Sequence, residues 1–599
     1  MKSAIAALAA LELVRKGFGM AFDNWVPWIR RRRFLLLWPM NGLTRRRLIH
    51  ATPEPRDSPY TLLVMAVGIC LIAFASHGED GKVWPLRWGV DTLGTPENFE
   101  LQPWAAELFK EFGYNFWVLH AWEKPQIAAN IKWIREVDAW CRENGVTWVC
   151  DLESANCQKT FVDERGRDWF NRPDGRHFEL LPDEILEELG RCQRLDGVLY
   201  DEVEHMQNCR NGVMNNDTPF APWVYDPKGD TLEEAADKFT SAVGELRKLH
   251  DHYGLKLYTE HVFPVLFHCF ARAGWTAGTK ILKENWSPAF IACAMGAAIE
   301  YGTELWITPD LCGYAEGYPA HSVEEYRSAL LLAYHMGADT LYTENLAYDF
   351  ENRGKGSLVL LKDGGYTVTD YGKAAKWFIH EYVPAHPRRY TFRQLRPRVA
   401  IIRQEDACWG QATNLALGDR LFGNDAWPST LITEAWLRIW HLLTRGVISA
   451  EGPSWHSRGA YSGRPYQVLC PLDGVVVFDE KVSGEHLKGV ELIFLAGLGI
   501  AENTQKAVAE RVAEGAMCIS LPHLLPEKVR QATGEMGEIA DGKGVWVATT
   551  DFLAPHVRKR VMPFLPDFNS IRYTFGDTTV VFRAKDGDPN RLNVEISPD

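Results

Sequence analysis

At 599 residues the chain is too long for one compact core, so two or three domains are expected. Hydrophobic content of 46% and charged content of 24% are those of an ordinary globular protein. The first 50 residues hold ten Lys/Arg against Glu12 and Asp23, a net +8 out of a total of -13, which leaves about -21 on the rest. So acidic a body excludes nucleic acid as partner, because phosphate contacts need basic surface.

Residues 1–76 read as an export or membrane-targeting segment. Arginine-rich stretches at 30–33 and 45–47 precede an apolar run at 62–74. That run is shorter than the roughly 20 residues of a membrane span. It ends in Ala73-Phe74-Ala75, a small-x-small cleavage pattern. Thr44-Arg45-Arg46-Arg47-Leu48-Ile49 resembles a twin-arginine signal, with Met40 as an alternative start. A periplasmic or extracellular protein without stable membrane insertion is expected, with an uncleaved anchor as the alternative. Cys70 lacks the small residue that precedes a lipoprotein cysteine.

From 83 to 387, short apolar runs alternate with amphipathic stretches, the signature of a parallel α/β fold. Eight strands are expected at 86–91, 115–120, 147–151, 197–200, 256–259, 280–283, 305–308 and 340–343, with helices such as 127–144, 232–252 and 323–336 between them. Eight such units predict a (β/α)8 TIM barrel. The sixth strand is the least regular, because Lys280 and Lys283 break its apolar run.

In such a barrel the chemistry sits at the C-terminal strand ends. Those ends carry Asp91; His120 with Glu123; Asp151 with Glu153; Asp201, Glu202 and Glu204; Glu260 with His261; Glu284 with Asn285 and Trp286; Asp310; and Glu344 with Asn345. One such group alone reads as a helix cap or a solvated loop charge. Eight sets converging on one basin do not. The crowding of Asp201, Glu202 and Glu204 matters most, because like charges raise each other's pKa and are tolerated where an acid must stand beside a base.

Beyond Arg396 the alternation restarts. Strands at 399–402, 474–478, 490–495 and 517–521, with helices at 433–444 and 504–514, predict a flavodoxin-like α/β domain over 397–568. The basic linker 385–398 holds two prolines, as a boundary should. Residues 569–599 read as a short antiparallel β segment, too small to stand alone and expected to pack on a neighbour. The 12 cysteines include no CxxC pair and no cluster at zinc spacing, so no metal or other cofactor is expected. Cys150, Cys269, Cys293 and Cys518 lie in apolar runs and read as core, while Cys157 and Cys209 are the pair to check for a disulfide on export.

The layout resembles the beta-galactosidases that trimerise through an amidotransferase-like second domain (glycoside hydrolase family 42-like). Two stretches carry the resemblance. Residues 324–348, with Ala329-Leu330-Leu331-Leu332-Ala333-Tyr334-His335-Met336-Gly337-Ala338-Asp339, are similar to that family's helix leading into strand eight. Residues 487–522, with Gly489-Val490-Glu491-Leu492-Ile493-Phe494-Leu495-Ala496, are similar to the strand–helix–strand core of its second domain. The resemblance implies a glycosidase, a carbohydrate substrate and a homo-oligomer, a trimer. The family's acid/base, a Glu ending strand four and commonly preceded by Asn, falls on Glu202, here preceded by Asp201. Its nucleophile, a Glu ending strand seven, is missing: Pro309-Asp310 stands there. Asp310, Glu344 or Glu284 is left for that role. Neither Cys470 nor Cys518 sits on a glycine-flanked elbow, so amidotransferase chemistry is not expected.

Two-carboxylate cleavage of a glycosidic bond then needs Glu202 as acid, its pKa raised by Asp201 and Glu204, with Asp310 or Glu344 as partner. If strand four continues, Glu204 points to the same side as Glu202; if the chain turns, Glu204 binds substrate or caps a helix. Asp91, His120, Glu153, Asp201, Glu260, His261, Glu284 and Asn285 are the candidates to hydrogen-bond sugar hydroxyls. Trp122, Trp286 and Tyr314 are the candidate stacking platforms. Two rivals stand beside this reading. One is a metal-dependent barrel hydrolase using His120, Asp201, Glu204 and His261. The other is a non-catalytic carbohydrate-binding barrel, favoured by the missing strand-seven Glu.

Overall fold

A computed structural model describes residues 83–598 apart from 93–100, 121–123, 153–160, 209–222, 227–228, 263, 283–286, 312–320, 348–355, 363, 405–429, 449 and 451–466. The targeting segment, Cys157 and Cys209 lie outside the described residues. Eight parallel strands close into a barrel: β1 (Arg87–Thr92), β2 (Phe116–His120), β3 (Thr147–Leu152), β4 (Leu195–Tyr200), β5 (Lys256–His261), β6 (Thr276–Ile281), β7 (Trp306–Pro309) and β8 (Thr340–Thr343). Strand order follows chain order and β8 pairs back onto β1, with Arg87 opposite Thr340. The sixth strand begins four residues before its expected start. Thr276, Gly278 and Thr279 are weakly apolar, yet all of β6 is buried between β5 and β7.

Period-two alternation sorts each strand into an outward and an inward face. The inward residues Phe116, Val118, Val149, Leu199, Tyr258, Trp306 and Tyr342 form a separate apolar plug inside the barrel. Below it, Arg87 closes the N-terminal end. Its guanidinium pairs with Asp196 and Glu304 and lies over the rings of Phe116 and Trp306. Above it, the next inward position on each strand opens into the C-terminal mouth. The helices are fixed by local signals. α1 (Leu232–Asp251) starts with a Thr231/Glu234 capping box, and α2 (Val323–His335) with a Ser322/Glu325 box in which Ser322 Oγ accepts from Glu325 N at 3.1 Å.

The second α/β part is a six-stranded sheet built from β9 (Val399–Arg403), β10 (Val475–Asp479), β11 (Leu492–Ala496), β12 (Met517–Ser520), β13 (Glu538–Asp541) and β14 (Gly544–Ala548). The order is β10-β9-β11-β12-β14-β13, parallel except at β13. The helix Ser287–Tyr301 lies between this sheet and the barrel. Twelve of its residues, from Ser287 to Ala298, are buried, because both its faces meet a sheet. Gly296 is where the approach is closest: a Cβ there would stand 1.6 Å from Val477 O. At the edge of this contact Arg272 reaches Asp479 Oδ2 at 2.5 Å and Glu480 Oε1 at 3.0 Å.

The C-terminal strands Ser570–Phe575, Thr578–Lys585 and Asp588–Pro598 are antiparallel, as expected, and recruit Leu472–Asp473 as a fourth, parallel strand. They pack on α2: Ser328 Oγ donates to Asn590 O at 2.9 Å and accepts from Leu592 N at 3.0 Å. Residues Gly81–Asp599 form one compact unit. Among the described residues no helix is long and apolar enough to cross a membrane.

Candidate active site

The mouth of the barrel is built by continuing each strand's inward row one step past the apolar plug. Val118 is followed by His120, Val149 by Asp151, Leu199 by Asp201, Tyr258 by Glu260, and Tyr342 by Glu344. Gly89 and Gly278 hold the corresponding places on β1 and β6, and are followed by Asp91 and Lys280. Asp91, His120, Asp151, Asp201, Glu202, Glu260, Lys280, Asp310 and Glu344 are all buried. Parallel pairing sets them level: His120 is opposite Asp151, and Asp310 bridges to Glu344.

Three groupings result. His120 Nε2 lies 2.7 Å from Asp91 Oδ1 and 3.2 Å from Asp151 Oδ2. Lys280 Nζ donates to Glu202 Oε1 at 2.5 Å and lies 2.7 Å from Glu344 Oε2, 3.0 Å from Glu260 Oε2 and 3.5 Å from Asp201 Oδ1. One carboxylate oxygen from each of Glu202, Asp310 and Glu344 lies within 4.8 Å of the other two. The three expected catalytic carboxylates are therefore brought together.

Electrostatics divide the cluster. Burial alone would lower the pKa of Lys280, but Asp201, Glu202, Glu260 and Glu344 raise it well above the ordinary lysine value. Lys280 is therefore a fixed cation. Burial pushes the Glu260 carboxyl well above the usual range. Lys280 pulls it down, while Glu344, Asp201 and Asp91 add to the rise.

Strand four stops at Tyr200 and the chain turns at once into the helix Val203–Asn208. The turn places Glu202 at φ 44°, in the left-handed region that non-glycine residues seldom occupy. Glu204 consequently does not flank Glu202 on a continued strand. It is fully buried, and its Oε1 accepts from Val262 N at 2.5 Å, tying strand four to the loop after β5. The crowding expected from Glu204 is replaced by contact with Lys280. His261 stacks on Phe267 with ring centroids 4.2 Å apart, and its Nδ1 bonds Val265 O at 3.0 Å. Asn345 Nδ2 donates to Gly356 O at 2.9 Å. Trp122, Glu123, Glu153, Glu284, Asn285, Trp286 and Tyr314 lie outside the described residues.

The metal set His120, Asp201, Glu204 and His261 does not assemble. His120 faces Asp91 and Asp151, Asp201 faces Lys280, and Glu204 and His261 bond backbone. Lys280 is the residue that sequence reasoning passed over. Its signal was present as a lysine interrupting an apolar strand in a row of acidic strand ends. Cys518 is buried within β12 and Cys470 is likewise buried, and burial raises both thiols.

No protein-family model matches the chain, and no curated protein matches its sequence. Among solved structures, the cold-adapted beta-galactosidase from Rahnella sp. R3 is similar over 87% of this chain and 99% of its own, with a TM-score of 0.51 at 12% identity. An exo-beta-1,4-mannosidase from Opitutaceae bacterium strain TAV5 is similar over 87% of this chain and 88% of its own, with a TM-score of 0.40 at 12% identity. At such identities the likeness is one of fold.

Proposed function

We propose that this protein is a retaining glycoside hydrolase with Glu202 as general acid and base. The observation that carries the reading is the convergence of Glu202, Asp310 and Glu344, with oxygens within 4.8 Å of one another, at the C-terminal mouth of the barrel. Retaining glycosidases hold their two carboxyl groups roughly 5–5.5 Å apart, whereas inverting ones need roughly 6.5–9.5 Å to admit a water. The 4.8 Å bound applies to one oxygen of each group, and so close an approach of oxygens favours the retaining arrangement.

The proton inventory supports an acid in this cluster. Asp201, Glu202, Glu260, Asp310 and Glu344 are five buried carboxyl groups near one ammonium. Burial of like charges beside one another favours the protonated form of a carboxyl group. Burial raises the Glu260 carboxyl well above its usual range but leaves it 1% exposed, whereas Glu202 is 6% exposed, the most of the five, and is therefore placed to hand a proton to a substrate. The unusual backbone of Glu202 fits the same role, since strain collects at functional positions. Asp91, His120 and Asp151 supply acceptors and a donor for sugar hydroxyls.

The test is sugar release from a broad panel of aryl glycosides and oligosaccharides by wild type and Glu202→Gln. A fall of at least about a hundredfold in the variant is expected, the lower range for general acid catalysis. Tight binding of a sugar by wild type without turnover would replace this reading with that of a carbohydrate-binding protein.

A further inference from the structure

Two carboxylates, Asp310 on strand seven and Glu344 on strand eight, compete for the role of nucleophile. Their surroundings differ. Asp310 has no exposed surface, whereas Glu344 keeps 4%. Lys280 Nζ stands 2.7 Å from Glu344 Oε2, and its partners within 4 Å are Asp201, Glu202, Glu260 and Glu344. Asp310 is not among them. Lys280 itself is 1% exposed, hydrogen-bonds Glu202 and stands within 3.5 Å of three further carboxylates, so it is held in place.

We infer that Lys280 is a positioning residue that holds Glu344 as the ionised nucleophile, so that the glycosyl-enzyme bond forms on strand eight and not on strand seven. The inference rests on the glycosidase reading above and deepens it. A nucleophilic carboxylate must be ionised and fixed before substrate arrives. The ammonium hydrogen-bonds Glu202 at 2.5 Å and stands 2.7 Å from Glu344, so it fixes the separation of the two carboxyl groups and favours one negative charge on the pair; with the remaining proton on the more exposed Glu202, that charge falls on Glu344, while Asp310 lies outside the bridge.

The steps balance. Glu344 carboxylate attacks the anomeric carbon, and the glycosidic C–O bond breaks with its electron pair on the leaving oxygen. That oxygen takes the proton of Glu202. Water then attacks the anomeric carbon, gives its proton to the Glu202 carboxylate, and the ester oxygen leaves with its electron pair as Glu344 carboxylate. Lys280 keeps all its protons throughout. Asp310 remains beside both carboxylates without forming a bond.

The experiment uses the wild-type protein and the 2-deoxy-2-fluoro glycoside of whichever sugar the release panel identifies. Trapped enzyme is digested and the labelled peptide sequenced by mass spectrometry. A label on Glu344 is expected. A label on Asp310 overturns the inference and leaves the retaining glycosidase reading intact, whereas inverted product with no trapping overturns both the inference and the retaining assignment and leaves only glycosidase activity. Absence of release from every substrate overturns the glycosidase reading itself and this inference with it. A second measurement tests Lys280. The groups facing it are Asp201 and Glu202 after β4, Glu260 on β5 and Glu344 after β8, with Asp310 after β7 beside Glu344. In Lys280→Met the acidic limb of the kcat/KM profile moves up by about one pH unit or more, because the nucleophile loses the cation that favours its charged form. A purely structural role would lower the rate equally at all pH values and leave the limb where it was.

Discussion

Lys280 Nζ lies 3.0 Å from Glu260 Oε2, and both side chains are about 1% exposed. The pair belongs to a cluster with more carboxyl groups than counter-charge, and burial raises the pKa of Glu260 above its unfolded value. A carboxyl shifted upward contributes to stability below its unfolded pKa, about 4.3, and loses that contribution as pH rises. Glu260→Gln does not titrate. The melting temperature of the variant relative to wild type is therefore expected to increase from pH 4.5 to pH 8, as measured by scanning calorimetry. A difference that is constant with pH would show that Glu260 is ionised in the fold.

Glu202→Gln removes a proton donor but not a binding group. Its cost should depend on the leaving group: a hundredfold or more, about 3 kcal/mol, for unactivated oligosaccharides, and much less for aryl glycosides whose phenolate leaves unaided. Equal losses on both substrates would show that Glu202 acts in binding.

The carboxylate spacing predicts retention. Proton NMR of the first-formed sugar should show the anomer of the substrate, with mutarotation following later. The opposite anomer would mean that a water is activated between the two carboxyl groups, and would overturn the retaining reading.

Chelation should leave activity unchanged. The centre of the Glu202–Glu344 pair, where a cation would have to sit, is filled by the ammonium of Lys280 at 2.5 and 2.7 Å. That leaves Asp91, His120 and Asp151 as the other ligand-capable set among the described residues. Loss of activity on overnight treatment with EDTA, restored by one divalent metal, would assign a cofactor to that set.

Gly296→Ala probes the contact between the barrel and the second sheet. Its Cβ would lie 1.6 Å from a backbone oxygen, so the helix and β10 must move apart. A loss of about 3 kcal/mol or more is expected in denaturant unfolding, at the upper end of overpacking costs. Gly365→Ala, which meets no atom within 4 Å, should change stability by less than about 0.5 kcal/mol.

Much of this architecture was legible in the chain, because apolar runs of strand length alternate with helical stretches and because Asp91, His120, Asp151, Asp201 and Glu260 each follow an apolar run. The sixth strand was misplaced for a physical reason. Thr276, Gly278, Thr279 and Lys280 are poor apolar signals, and Lys280 is tolerated inside only because Asp201, Glu202, Glu260 and Glu344 arrive from three other strand ends. Such compensation is non-local and invisible to a window of neighbours. For Glu204 the sequence leaves two alternatives, a place beside Glu202 if strand four continues and a substrate-binding or helix-capping place if the chain turns, and the chain turns. The left-handed turn at Glu202 broke that period, and no residue type there announces it. The helix before strand eight and the strand–helix–strand stretch around 492–520 were read correctly, because both carry dense apolar patterns of their own.

The grip of the last strands on α2 bears on how the molecule matures. Ser328, on the helix that delivers strand eight, is hydrogen-bonded by backbone made 262 and 264 residues later. A nascent chain emerging from the ribosome can wind the early strand–helix units as it goes, but the hydrogen bonds at Ser328 form only once residues 590 and 592 have appeared. Contacts of such long separation form slowly. A chain lacking residues 590–592 would keep the acidic side chains of the barrel mouth and still lose the hydrogen bonds that hold the helix delivering the eighth strand.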